Sequence, residues 1–153
     1  MQSYLTNSLT FVLWVAHNIY TLMKFIPTWF SNTILITANQ HVTGSDIIAF
    51  ISSLVADERY KPSMNQIWDF RSTKKLKLGA ADLKNIPAVS ANRNTLRKPV
   101  FFALVASNTD VRFRLQSTID YLAHAECSPQ NTSYSKLFST TDDAVNWLKS
   151  VVR

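Results

Sequence analysis

Glycine and cysteine are scarce in this chain of 153 residues, and each scarcity excludes a class of site. The two glycines, Gly44 and Gly79, are too few for a glycine-rich phosphate loop of the Walker or dinucleotide-binding type. The lone cysteine, Cys127, cannot form an internal disulfide or a CxxC metal motif. We therefore expect no nucleotide loop, no structural zinc and no bound cofactor, and a single cysteine fits a reducing compartment.

Acidic residues are scarce in one part of the chain, which makes the charge uneven. The net charge of the whole chain is +6. Between Arg71 and Arg114 there are ten basic and two acidic residues, so this stretch alone carries +8. Such an excess attracts phosphates, acidic proteins or anionic lipid, although it is also typical of a solvated surface. Hydrophobic residues make up 46% of the chain, enough for one domain with one core.

Residues 5–29 contain Lys24 as their single formal charge. The length of Leu5–Met23 suits a membrane span, but polar residues such as His17 interrupt it. A signal peptide is disfavoured, because a basic start and a small-residue cleavage site are missing. Apolar side chains at helical spacing indicate an amphipathic helix that packs on the domain or on a partner; they are Phe11, Val12, Val15, Ile19 and Leu22.

Two further interpretations of this segment stay open. A translation start at Met23 would leave residues 1–22 out of the cellular protein, whereas a membrane span would place the basic domain on the cytoplasmic side. We assign residues 1–30 to the apolar N-terminal segment, with membrane contact through 5–29 as an alternative. The domain itself is assigned to 31–153.

From residue 31 onwards, strand and helix patterns alternate. The predicted strands are 33–37, 65–71, 99–106 and 134–138, with a polar turn at 72–75. The predicted helices follow capping sequences at 43–46, 107–110 and 140–143, and a shorter helix covers 80–91. This alternation predicts an α/β fold in which helices pack on a four- to five-stranded, mostly parallel sheet.

Four motifs of the domain resemble the SpoIIAA-like branch of the STAS superfamily, whose topology is shared with lipid-binding Sec14-type domains. They are HVTGSD at 41–46, DERYKP at 57–62 with NQIWDFR at 65–71, the apolar strand 100–106 before a helix near residue 110, and KLF at 136–138 with DDA and WL at 142–148. The likeness covers roughly residues 31–152. It implies a bacterial, cytoplasmic, non-catalytic regulatory or protein-interaction module.

Classical STAS antagonists carry a phosphorylatable serine at the start of the helix that follows the strand ending near Asp69. Here the stretch Lys74–Asp82 contains no hydroxyl side chain. Ser72 and Thr73 lie nearby, but at the exit of the strand and not at the helix start. A phosphorylation switch of the classical kind is therefore not expected.

Ligands of open parallel sheets bind beyond the carboxyl ends of the strands, and these ends supply the candidate site. The predicted binding residues are Asp69, Arg71, Ser72, Thr73, Lys74, Lys75, Ser107, Asn108, Thr109 and Arg112. The two arginines and the N–H groups of helix N-termini would together hold a phosphate or carboxylate, so binding of a small anionic ligand or lipid head group is the alternative function. Ser107–Thr109 are also typical of a simple helix cap.

No catalytic residue is assigned, because no Ser/His/Asp or Cys/His set lies at a suggestive spacing. Cys127 sits beside Glu126, which does not favour a thiolate, and Asp69 as a general base competes with a simple pairing to Arg71. Nucleic-acid binding is supported only by the basic cluster. The leading hypothesis is therefore a partner protein bound around residues 71–81, with the partner and the oligomeric state left open.

Overall fold

The computed structural model describes residues 24–89, 99–124 and 133–152. Their elements are β1 Phe25–Trp29, β2 Thr33–Ala38, β3 Gln40–Thr43, α1 Gly44–Val55, β4 Asn65–Asp69, β5 Thr73–Lys77, α2 Ala80–Val89, β6 Val100–Val105, α3 Thr109–His124, β7 Ser133–Phe138 and α4 Thr141–Val151. The main sheet has the strand order β1-β2-β4-β6-β7, and β3 pairs with β5 separately. β1 is antiparallel to β2, and the other pairings are parallel. The predicted α/β fold with a mostly parallel sheet is confirmed.

β1 corrects the prediction for the N-terminal segment. Phe25–Trp29, predicted as part of an apolar helix, is an edge strand. Phe25 is fully buried and stacks on Phe50 with 4.8 Å between ring centroids. The sheet therefore begins before residue 31, and its first strand packs on Phe50 of α1. Residues 1–23, for which a helix was predicted, lie outside the described residues.

β5 corrects the prediction of a polar turn at 72–75. Thr73–Lys77 is a strand whose residues Thr73 and Leu76 are buried while its three lysines are exposed. The sequence does not show the alternation of apolar and polar residues that is typical of a strand, because the adjacent residues Lys74 and Lys75 are both exposed. The turn itself is confined to Arg71 and Ser72.

The main sheet separates two apolar cores. Helices α1 and α3, with α2 beside them, pack on one face, which we call the three-helix face, over buried residues that include Ile34, Ile36 and Trp68. On the opposite face, Ala144 and Leu148 of α4 pack on Ile67, Ala103 and Val105. β4 lies in the middle of the sheet, so all five of its residues are buried.

Two of the predicted helix caps are formed by threonine. The Thr43 hydroxyl accepts from the Asp46 N–H at 3.2 Å, and Asp46 accepts from the Thr43 N–H at 2.8 Å, which completes a capping box. Lys24 adds an ion pair to Asp46 at 2.7 Å and so holds the start of β1 against the start of α1. Thr140 caps α4 by accepting from the Asp143 N–H at 3.2 Å.

None of the helices in the described ranges is long and apolar enough to cross a membrane. The predicted membrane contact concerns residues 5–29, of which 5–23 lie outside those ranges. Of the six remaining residues of that stretch, Phe25–Trp29 form the strand β1.

Candidate functional site

Asp69 is the last residue of β4, and Arg71 binds its carboxylate. The Arg71 guanidinium donates to Oδ1 at 2.9 Å and to Oδ2 at 2.7 Å, and the Arg71 N–H donates to Oδ1 at 3.0 Å. Burial alone would raise the pKa of Asp69, but the bonds from Arg71 outweigh it and hold this pKa below its ordinary value. Asp69 is therefore a paired structural carboxylate, which disfavours the alternative role of general base.

Ser72 and Thr73 lead the chain from β4 into β5. The Thr73 side chain is buried, and its Oγ1 donates to the carbonyl oxygen of Ala38 at 3.0 Å. The Ser72 carbonyl accepts from the Gln40 N–H at 3.1 Å. Thr73 thus fastens β5 to the end of β2, and of the two predicted hydroxyls Ser72 is the exposed one.

Asn108 is the cap of α3. Its Oδ1 accepts from the N–H groups of Asp110 at 3.0 Å and Val111 at 3.1 Å. Ser107 and Thr109, on either side of it, are exposed. The capping interpretation of this stretch therefore holds for Asn108, while its two neighbours remain accessible at the exit of β6.

Arg112 is half-buried and binds acceptors at the ends of two strands. Its Nη1 donates to the carbonyl oxygens of Ala106 at 2.8 Å and Phe138 at 3.0 Å, and to Ser139 Oγ at 3.0 Å. The side chain thereby joins the ends of β6 and β7. Arg71 and Arg112, on which the predicted anion site depends, thus both have internal partners, so the anion-binding alternative gains no support from them.

Four lysines that follow Arg71 in the sequence are exposed and available for binding. Lys74, Lys75 and Lys77 are exposed along β5, and Lys84 is exposed on α2. None of them belongs to an ion pair found within residues 24–89, 99–124 and 133–152. The positive charge of this region is therefore open to an outside partner, and Lys74 and Lys75 are the predicted site residues that carry it.

A shallow groove between the β5–α2 connection and α3 is a feature that the sequence did not predict. We call it the basic groove; it is lined by Leu78, Leu83, Phe113, Arg114, Ser117 and Thr118. Phe113 is 72% exposed. A sequence signal for it exists, because Phe113 is two positions from the buried Val111 and from the buried Leu115 and therefore falls on the outer side of α3.

The structure brings only some of the predicted residues together. Asp69 and Arg71 contact each other directly, and Arg112 connects two strand exits. Within the three described ranges, no group of His, Cys, Asp or Glu side chains is arranged to hold a metal ion. Cys127 lies outside those ranges.

No protein-family model matches the sequence, and no curated protein matches it either. Among solved structures, the anti-sigma factor antagonist SpoIIAA in its unphosphorylated form is similar at 11% identity with a TM-score of 0.47, over 83% of this chain and 99% of that chain. An uncharacterised DUF3478-family protein with a SpoIIAA-like fold from Shewanella loihica PV-4 is similar at 12% identity with a TM-score of 0.47, over 81% and 91% of the two chains. Likenesses of this level assign neither a function nor a family to this chain.

Proposed function

We propose that this domain is a non-catalytic regulatory module that binds an acidic protein partner at the basic groove. The observation that carries the proposal is the position of Phe113, which is 72% exposed and lies beside the half-buried Leu78 and Leu83. Exposed apolar side chains that lie together mark interaction sites, whereas a single one does not. The motif resemblance to STAS-type antagonists supports the regulatory part of the proposal.

The charge around the basic groove indicates the chemistry of the partner. Lys77 directly precedes Leu78, Lys84 directly follows Leu83, and Arg114 lines the groove itself. Arg114 has an exposed contact with Asp110 at 3.3 Å, which contributes little stability and is easily exchanged. A partner segment with one large apolar side chain flanked by Asp or Glu matches this surface.

Aromatic side chains are frequent energetic centres of interfaces, and burial of a phenylalanine contributes about 1.5–3 kcal/mol. The lysines add electrostatic attraction that speeds association and weakens with salt. The partner should therefore bind more weakly as salt increases, and most of the remaining affinity should depend on Phe113.

Affinity capture from cells of the source organism tests the groove directly, with a photo-crosslinking residue at Ser117. The wild-type chain and Phe113→Ser are compared with Tyr134→Ser, a matched control because Tyr134 is also an exposed aromatic residue but lies on β7. We expect the same crosslinked protein with wild type and Tyr134→Ser, and its loss with Phe113→Ser. Equal capture by all three chains would contradict the proposal.

A second comparison tests the charge. Lys74→Glu and Lys75→Glu reverse two exposed lysines of β5, and Lys149→Glu reverses an exposed lysine of α4 as the control. Association of the captured partner should slow with the first two variants and stay unchanged with the third. An association rate that is the same for all three variants would show that the lysines of β5 do not attract the partner.

A further inference from the structure

The two faces of the main sheet are covered unequally. On the three-helix face, Phe25 of β1 and Ile34, Ile36 and Ala38 of β2 are all fully buried. On the opposite face, α4 packs on β4, β6 and β7. Within the described residues, that face of β1 and β2 is left largely without a covering helix.

The uncovered surface is partly apolar, because an isoleucine, a leucine and a phenylalanine alternate on it with three threonines. Paired residues of an antiparallel ladder share a face, and Ile26 pairs with Thr37 while Thr28 pairs with Leu35. Side chains of this face form what we call the open sheet patch: Ile26, Thr28, Phe30, Thr33, Leu35 and Thr37. Ile26 is 51% exposed and Phe30 is 55% exposed.

The open sheet patch continues the core beneath α4. Leu35 pairs with Ile67 of β4, and Ile67 is buried in the α4 core. Leu35 itself packs against that core from its edge. A second helix lying beside α4 would therefore extend an existing apolar layer, as helices covering both faces do in other α/β sheets.

The chain enters the sheet at the start of β1, beside the start of α1. Lys24 directly precedes β1, and its carbonyl oxygen accepts from the Asn39 N–H at 2.8 Å. Its Nζ is 2.7 Å from Asp46 Oδ2, so the junction is fixed at the carboxyl edge of the sheet. The residues that precede it thus emerge two positions before Ile26 of the open sheet patch.

Residues 5–23, which precede β1, have the properties of a helix that could cover the open sheet patch. Residues 5–23 carry no formal charge, and they have an apolar face with helical spacing at Phe11, Val12, Val15, Ile19 and Leu22. A helix of this length extends about 28 Å at 1.5 Å per residue. A strand of six residues such as β2 extends about 20 Å. One helix that turns back from Lys24 is therefore long enough to cover the whole patch.

We propose that residues 5–23 form an amphipathic helix that packs beside α4 and covers the open sheet patch of its own chain. The apolar face of the helix would bury Ile26, Phe30 and Leu35. The segment would then complete the domain, and it would not be free to insert into a membrane or to hold a second copy.

Disulfide trapping in the full-length chain tests this placement. Cys127→Ser removes the native thiol, and Thr28→Cys places a thiol on the patch. The second cysteine is introduced at Val15 or at Ile19, on the apolar face, or at His17, which is on the opposite side of the same helix. We expect mild oxidation to bridge residue 28 to residue 15 or 19 within one chain, at a yield independent of protein concentration, and to leave the His17→Cys chain unbridged.

The same experiment distinguishes the other ways in which the open sheet patch could be covered or residues 5–23 could be placed. Bridges that join two chains would show that a second copy covers the patch, and they would overturn the proposal. A bridge to Ser117→Cys in place of Thr28→Cys would put the segment in the basic groove and would also overturn it. Equal bridging from positions 15, 17 and 19 would show an unstructured tether, with the same consequence.

A stability measurement provides a second, independent readout in the full-length chain. Val15→Asp should lower the urea midpoint, and Phe30→Ser should add little further loss once Val15→Asp is present, because both changes remove the same contact. Phe113→Ser, on α3, is the control whose effect should add fully to that of Val15→Asp. Full additivity for Phe30→Ser as well would contradict the proposal.

Flotation with phosphatidylcholine–phosphatidylglycerol vesicles distinguishes the membrane alternative. The proposed packing predicts that the chain with cysteines at residue 28 and at residue 15 or 19 stays in the unbound fraction and still forms its bridge. Flotation of this variant together with failure to form the bridge would place the segment in the bilayer and would overturn the proposal.

Discussion

Replacement of Gly44 by alanine should destabilise the domain, although alanine is the better helix former. A Cβ atom at Gly44 would overlap the Cβ, Cγ and Oδ2 atoms of Asp82, at the start of α2. No glycine of the described residues has a positive φ, so Gly44 is required by space and not by backbone conformation. Asp82 also accepts from the Gly79 N–H at 2.8 Å, and this bond opposes a rotation of its side chain.

The size of the effect follows from these contacts. Overpacking at a close contact between elements costs about 1–3 kcal/mol. Alanine regains at most about 1 kcal/mol of helix propensity relative to glycine, and less in the first turn. Displacement of Asp82 also weakens its exposed bond to Gly79, which is worth about 0.5–1 kcal/mol. We expect the free energy of unfolding of Gly44→Ala to fall by about 1–3 kcal/mol.

Urea unfolding followed by circular dichroism measures the change in three backgrounds. Because the overlap includes Cβ of Asp82, Asp82→Gly should remove it completely, whereas Asp82→Ala should relieve only the part due to the carboxyl group. The loss caused by Gly44→Ala should therefore nearly vanish with Asp82→Gly and persist in part with Asp82→Ala. An identical loss in the wild-type, Asp82→Ala and Asp82→Gly backgrounds would refute the steric reasoning.

Two more predictions concern the strand exits. Asp69→Asn should lower the free energy of unfolding near pH 7 by about 1–3 kcal/mol, because Arg71 loses a charged acceptor. Folding lowers the pKa of Asp69, so its stabilising contribution is present above the ordinary carboxyl pKa and disappears as the pH falls through the lower folded value. Urea unfolding should thus show the gap to wild type closing in acid, and a gap of constant size would contradict this. Arg112→Met should cost about 1–3 kcal/mol, because the carbonyl of Ala106 loses the guanidinium donor and the carbonyl of Phe138 keeps only the N–H of Ala106. Amide hydrogen exchange should also become faster at the ends of β6 and β7, and unchanged protection there would count against a joining role.

Features that depend on neighbouring residues could be predicted from the sequence. The caps at Thr43 and Thr140 were predicted correctly, because a capping bond joins residues only three positions apart. The apolar run 99–106 likewise predicted the strand β6, because a strand that is covered on both faces consists of consecutive apolar residues. The pairing of Asp69 with Arg71, two residues apart, was anticipated for the same reason.

Features that depend on distant residues were missed. Arg112 was predicted as a binding residue, and its bond to the carbonyl of Phe138 could not be foreseen, because only the pairing of β6 with β7 brings that carbonyl near. The basic groove joins Leu78 and Leu83 to Phe113, from parts of the chain that are brought together only by tertiary packing. β1 was missed because five residues that include Pro27 show too short an alternation to outweigh the apolar pattern before them.

The strand order of the main sheet has a consequence for how the domain is made. The order β1-β2-β4-β6-β7 follows the order of synthesis, so no strand must insert between two neighbours that are already paired. The β1–β2 hairpin, in which Trp29 pairs with Ile34, closes a short loop and needs no later part of the chain. Each parallel pairing of the main sheet forms only after the connecting segment has been synthesised. Examples are the pairing of Thr33 with Asn65 and that of Val100 with Ser133. The sheet can therefore grow in one direction during translation, and at each stage its single growing edge is the site for the next strand to leave the ribosome.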